Sequence, residues 1–278
     1  MGGYGEHHYN NKQGSSGDQV DAHRYVLYIS HQYSDNLRFF SEVELEHSLA
    51  GDGKPGEVEL EQAFIEWDYT TNHSVQFGQF LVPVGILNET HEPDTFYGTE
   101  RNKVESEIVP STWWETGIML TGEITPGLRY NAAVHSGLEV PITGGSRARI
   151  RSGRQKSAEA TADDLAFTGR LKYTGIKGLE LATTVQYQED ILQGAISGDT
   201  HSATLIESHL VYNTGPFGLR ALYAEWDIDG DATKALDADK LSGFYVEPSV
   251  KLSEKLGVFI RYSEWERGDD IADANDPT

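Results

Sequence analysis

Residues 147–156 hold Arg147, Arg149, Arg151, Arg154 and Lys156, five bases in ten positions of a chain with 22 Lys and Arg against 44 Asp and Glu. Guanidinium groups at that density suit phosphate oxygens, which they bind bidentately. The stretch 86–112 has the opposite bias: Glu89, Glu92, Asp94, Glu100, Glu105 and Glu107 stand against Arg101 and Lys103. Asp227-Ile228-Asp229-Gly230-Asp231 begins like a calcium loop, but the sixth and twelfth positions of an EF-hand loop need Gly and Glu and hold Ala232 and Ala238. His7 and His8 are adjacent, so on a strand their rings point to opposite faces and cannot share one metal. The other histidines are scattered, and no metal or cofactor is expected. Ser30-His31, His135-Ser136 and Ser208-His209 are likewise neighbours that face opposite sides of a strand. There is no Gly-x-Ser-x-Gly elbow, no phosphate-cradling Gly-rich loop with Lys-Ser/Thr, and no cysteine, so thiol nucleophiles and Cys-based zinc sites are excluded. These features do not compose an enzyme.

The elements that must carry these residues follow from a period of two. Leu37, Phe39, Val43 and Leu45 alternate with Arg38, Glu42, Glu44 and Glu46. Leu179, Leu181, Val185 and Tyr187 alternate with Glu180, Thr184, Gln186 and Gln188. A strand puts each set on one face, whereas a helix would scatter both. The pattern predicts thirteen strands, at 2–10, 20–33, 37–50, 57–70, 74–85, 113–124, 128–139, 165–175, 179–193, 202–214, 217–229, 241–253 and 256–268. The longest mostly apolar run is Phe80 to Leu87, far short of the ~20 residues of a spanning helix. A net charge of −22 opposes binding to nucleic acid, and none is expected as a partner. Met-Gly-Gly-Tyr-Gly-Glu at the start is not a signal peptide, since no apolar segment follows a basic one.

The connections sort into two classes. Short turns stand at 34–36, 71–73, 125–127, 176–178, 215–216 and 254–255, and long loops at 11–19, 51–56, 86–112, 140–164, 194–201 and 230–240, with a tail from 269. Short turns at one end and long loops at the other are the hairpin pattern of an outer-membrane barrel. Tyr33, Tyr69, Tyr130, Tyr173 and Tyr212 fall near the short turns, where an aromatic girdle would lie. The expected fold is all-β, a single antiparallel up-and-down transmembrane β-barrel over 1–278.

Particular motifs carry a family resemblance. Gly2-Gly3-Tyr4-Gly5-Glu6 with His8-Tyr9-Asn10 resembles the first strand of a proteobacterial porin. Phe80 to Glu89 (FLVPVGILNE), then Pro93 to Gly98 (PDTFYG) and Pro110 to Gly117 (PSTWWETG), are similar to the phosphate-selective porin O and P family. The resemblance covers the chain in topology and residues 75–138 in motif. It implies a sixteen-stranded barrel, a homotrimer, an outer-membrane location among lipid and lipopolysaccharide, and passage of small hydrophilic solutes or anions. It also implies that 86–112, the third long loop, folds inward as a constriction. Against sixteen strands, thirteen and a loop-like end at Asp273–Thr278 read as a C-terminally incomplete barrel.

A charged residue on the lipid face near the midplane costs ~2–4 kcal/mol. Alternation therefore directs Arg24, Arg38, Arg129, Arg170, Lys172, Arg220, Lys251 and Arg261 inward, as a basic wall opposite the acidic loop. Such a lumen would filter ions by charge, with anions slightly preferred. The 147–156 bases could attract anions to the mouth, contact lipopolysaccharide phosphates or dip into the pore. A surface adhesin or interaction protein is the alternative, and a barrel enzyme a more distant one.

Overall fold

The computed structural model describes residues 1–11 and 17–267. The tail Asp273–Thr278 and most of the first long loop lie outside them. Strands dominate, and among the described residues no helix is long and apolar enough to cross a membrane.

The chain divides into two compact units, 1–80 and 81–278. The first is an antiparallel meander of β1 (Gly2–Asn10), β2 (Gln19–Ser34), β3 (Leu37–Glu46), β4 (Val58–Asp68) and β5 (His73–Leu81). The second runs through β6 (Trp114–Thr125), β7 (Leu128–His135), β8 (Ala166–Tyr173), β9 (Leu179–Gln188), β10 (Ser202–Thr214), β11 (Phe217–Asp229) and β12 (Lys240–Lys251). Each of these pairs antiparallel with the next. Both β13 (Gly257–Phe259) and β14 (Tyr262–Glu266) pair with β12, so they are one strand interrupted at Ile260 and Arg261.

The alternation controls exposure in an inverted sense. On β9, Ala182, Thr184, Gln186 and Gln188 are buried while Leu181, Val185 and Tyr187 are exposed; Val185 is 45% exposed and Gln186 0%. Phe167 and Leu171 on β8, Ile206 on β10, Tyr223 on β11 and Val246 on β12 are exposed in the same way. A water-soluble sheet would bury this apolar set, and an exposed apolar surface marks a contact with something apolar.

The opposite face of the second unit is zoned along the strands. On β10–β12 it is apolar toward the long loops: Ala203 and Leu205, Leu222, Ala224, Trp226 and Ile228, Leu241 and Tyr245 pack with Val104, Ile108, Val109 and Trp113. Leu138, Val140, Ile150, Ile191 and Leu192, from the other loops, join the same core. Nearer the short turns this face becomes charged. The turns are tight: Gly178 has φ 82°, and a Cβ there would meet the Asn213 carbonyl oxygen at 2.1 Å.

Several strands end earlier than alternation predicts. β3 stops at Glu46, because His47 and Ser48 are both left-handed at φ 51°. β5 stops at Leu81, just before Pro83 and the left-handed Gly85 (φ 71°). β7 and β9 end at His135 and Gln188, where the following apolar residues enter the loop core instead of continuing the sheet.

Candidate functional site

Segment 86–112 packs on the polar face of the second unit and is held at both ends. Val82 N–H donates to the Trp113 carbonyl (3.0 Å). Asn88 bridges the same two strands of chain: its Nδ2 donates to Val82 O and Trp113 O (both 2.8 Å), and its Oδ1 accepts Trp113 N–H (2.7 Å). Farther along, a single π-helical turn at Val104–Ile108 buries Glu105. That carboxylate accepts Ile86 N–H (2.8 Å), Leu87 N–H (2.5 Å) and the Tyr245 hydroxyl (2.5 Å). Burial pushes its pKa up, opposed by the hydrogen bonds from Tyr245 and Leu87. Trp226 Nε1 adds a bond to Ile108 O (2.9 Å).

Gly85 makes this anchor possible. Its backbone is left-handed, and a Cβ there would lie 2.8 Å from Glu105 Oε2 and 3.2 Å from Val109 Cγ1. Gly85→Ala is therefore expected to loosen the loop, read as faster tryptic cleavage after the exposed Lys103 in otherwise folded protein. Unchanged cleavage would show that the anchor absorbs the methyl group.

The charged belt lies beneath the first part of the loop. Arg170 donates to both oxygens of Glu89, with Nη2–Oε1 at 3.1 Å, and to Asn131 Oδ1 (2.9 and 3.1 Å). Lys172 lies 3.6 Å from Glu180. His209 sits between Glu207 (2.7 Å) and Glu180 (3.3 Å). Glu247 is shared by Arg220 (3.7 Å) and Arg261 (2.6 Å). The loop backbone completes the row: Arg220 donates to Thr95 O (2.8 Å) and Arg261 to Tyr97 O (2.9 Å), with the Tyr97 ring stacked on Phe259. Arg129 and Lys251 lie at the exposed short-turn ends of their strands, opposite Glu123 and Gly257 in register.

The first unit repeats the motif. Arg24 pairs with Glu6 (2.8 Å) and Glu44 (3.4 Å). Arg38 pairs with Glu66 and with Asp68 (2.7 Å). The bases expected to form a basic wall are thus accompanied by acids. Carboxylates occupy the same faces as the bases, and a mixed-charge ladder results. The signal was present, since Glu180, Glu207 and Glu247 share strand parity with the inward set.

The acidic loop is also not simply a wall of negative charge. Glu89 meets Arg170, whereas Glu105 bonds its own loop and Tyr245 of β12, and Glu107 lies 3.1 Å from Arg149 and 3.4 Å from Arg267. Asp94 and Glu100 are exposed, Glu92 half-buried, and Arg101 donates to Thr112 Oγ1 (2.7 Å). The 147–156 bases turn out to clamp this same loop. Arg151 donates to Ser106 O (3.2 Å) and Ser111 O, Arg154 to Thr112 O, and Lys156 lies 5.8 Å above the Trp114 ring. Arg147 is half-buried nearby in sequence. The guanidinium groups of Arg149, Arg151 and Arg154 are thereby engaged within the protein.

The other motifs resolve simply. Asp227 and Asp229 end β11, a short helix α1 (Asp231–Ala235) follows, and Lys234 takes Asp229 at 2.5 Å. Ser136 donates to Glu115 while His135 meets Thr168 Oγ1 (2.8 Å), so that serine and histidine do not form a couple. In the first unit, by contrast, histidines that look scattered in sequence converge: His8, His23 and His47 stand together.

No family model matches the sequence. An uncharacterized protein of Aquifex aeolicus (strain VF5) is 32% identical over 247 residues, 87% of this chain. The chain spans about half (54%) of that relative's length. Among solved structures, the anion-selective porin from Comamonas acidovorans superposes with a TM-score of 0.59 at 13% identity, over 89% of this chain and 71% of that one. The OmpF of Salmonella typhi, solved with daunomycin, also gives 0.59 at 13% identity, over 93% and 76%. With the meander order and the inverted faces, these likenesses show the fold: an antiparallel up-and-down β-barrel of the outer-membrane porin type.

Proposed function

We propose that the chain is an outer-membrane porin, a passive channel for small hydrophilic solutes and ions seated among the lipid and lipopolysaccharide of a bacterial outer membrane. The observation that carries this reading is the inversion of the strands, apolar residues exposed and charged ones covered by a loop packed on the polar face. An outward apolar face suits lipid, and ionic side chains on the other face suit a water-filled path. Segment 86–112 then acts as the constriction. Homotrimeric assembly and membership of the phosphate-selective porin O and P group are the finer parts of the proposal, the latter resting on the motifs in 75–138.

Selectivity is proposed to be weak. Arg170, Lys172, Arg220 and Arg261 each stand beside a carboxylate, so a passing ion meets alternating signs instead of a ring of one sign. Phosphate and other anions belong to the expected solutes, without exclusive preference. The test is conductance of purified protein in a planar bilayer: discrete ohmic steps are expected. Folded protein that inserts and gives no steps would favour a surface adhesin with a blocked interior.

Acid should affect one contact in a defined direction. Burial opposes ionisation of Glu89, yet the Arg170 charge and hydrogen bonds outweigh it and hold the pKa below the ordinary carboxylate value. A depressed folded pKa contributes attachment that is complete above the ordinary value of about 4.3 and is lost as pH falls through the lower folded value. Conductance noise from this tether should therefore be flat from about pH 5 to 8 and rise only below about pH 4. A rise centred near pH 6 would assign the tether to another group.

A further inference from the structure

The first unit gathers nitrogen and oxygen donors that the channel reading does not use. His8 comes from β1, Asp21 and His23 from β2, and His47 from the residue after β3. A β-bulge between the Glu6–Arg24 and His8–Asp21 pairs sets Asp21 opposite His8. His47 leaves the strand in a left-handed conformation, with its N–H bonded to His23 O (3.0 Å), and its ring reaches back to Asp21. Asp21 then lies 2.9 Å from His47 Nδ1 and 3.2 Å from His23 Nδ1. The His8 ring stacks on His23 at 4.2 Å, and the His23 and His47 centroids are 5.5 Å apart.

We propose that Asp21, His23 and His47 bind a divalent transition-metal ion of the zinc, nickel or copper class, with His8 as a fourth donor. The donor atoms of Asp21, His23 and His47 all lie within 4.8 Å of one another, and His8 belongs to the adjoining set Glu6, His8 and His23, whose donor atoms meet the same limit. A tetrahedral ion with bonds of ~2.0–2.1 Å separates its ligand atoms by about 3.3 Å. The observed 2.9 and 3.2 Å need only small adjustments to reach it. Imidazole nitrogen with one carboxylate selects these metals over calcium and magnesium, which prefer all-oxygen sites. The two sets are unequal. Arg24 Nε sits 2.8 Å from Glu6, so Glu6 is already neutralised, whereas the Asp21 carboxylate is shared between two imidazoles. Metal would take the place of the protons between Asp21 and those rings, and binding would release protons. All donors stand at the long-loop end of β1–β3, where the ion would cross-link three neighbouring chain segments.

The test is calorimetric titration of the untagged full chain in detergent with Zn²⁺, repeated in two buffers of different ionisation enthalpy. One ion per chain, proton release and a Kd below about 10 μM are expected. The His23→Ala/His47→Ala variant should bind at least about tenfold more weakly, while a His31→Ala/His73→Ala control binds like the parent. Co²⁺ should give the visible bands of a nitrogen-ligated site in the parent and lose them in the first variant. Failure of the parent chain to bind stoichiometrically overturns the proposal without recourse to any variant. So does equal binding by the parent and the first variant.

Discussion

Replacing Arg170 and Arg220 together by Ser is expected to move the reversal potential in a salt gradient toward cations. Replacing Glu247 by Gln is expected to move it toward anions. The two changes act on one belt with opposite signs. Arg170 faces Glu89, and its loss leaves that partly exposed carboxylate without its main counter-charge. Loss of Arg220 leaves Arg261 on Glu247, so the strand pair keeps an ion pair and the variant remains foldable. A unit charge about 5 Å from a passing ion contributes about 0.8 kcal/mol in water, reduced further by salt. With salt screening included, that corresponds to a change of about two- to fivefold in the cation-to-anion permeability ratio for each charge removed. Glu247→Gln keeps size and hydrogen-bonding capacity while leaving two guanidinium groups uncompensated. A bilayer measurement at low salt reads both shifts. If neither variant moves the potential, ions do not pass along this belt; if both move it the same way, the charge ladder is not what filters them.

Alternation made the strands legible because each lies between two different surroundings. Ser202–Thr214 and Phe217–Asp229 match the sequence reading at both ends, and they pair with each other in unbroken register from Ser202–Asp229 to Thr214–Phe217. The same signal misleads where apolar residues serve another purpose. Leu138, Val140 and Ile191 continue the alternating pattern beyond β7 and β9, but they fill the core under the loops. The interruption at Ile260 and Arg261 also escapes a period of two. There Ile260 N–H bonds Pro248 O, and Arg261 turns to Glu247 and Tyr97. For the site, parity assigns each charge a face but not a partner. Arg220 and Glu247 meet because β11 and β12 place them opposite in register. His8, His23 and His47 converge through a bulge and a left-handed residue that composition does not announce. Asn88 shows the limit most clearly: one buried amide closes the base of a long loop, and nothing in its sequence neighbourhood distinguishes it from a turn residue.

Glu105→Ala should release 86–112 from the polar face, whereas Glu105→Gln should leave it in place. The carboxylate, itself fully buried, satisfies two backbone N–H groups and one hydroxyl. Removing it orphans three buried donors at about 1–3 kcal/mol each, roughly 3–9 kcal/mol in total, which exceeds what one local segment can absorb while staying docked. Glutamine keeps an oxygen for Ile86 and Leu87, and its amide can donate to Tyr245 after the hydroxyl rotates. The strands are hydrogen-bonded to one another independently of Glu105, so the barrel wall should survive the alanine change. Tryptic cleavage after Lys103 should then accelerate at least about tenfold in Glu105→Ala, the equivalent of only about 1.4 kcal/mol of local opening. If the loop narrows an aqueous path, single-channel conductance should rise and become noisy in the same variant and remain at the parental level in Glu105→Gln. Faster cleavage with unchanged conductance would separate the two halves of the argument: the carboxylate would still hold the loop, and the narrowest point would lie elsewhere.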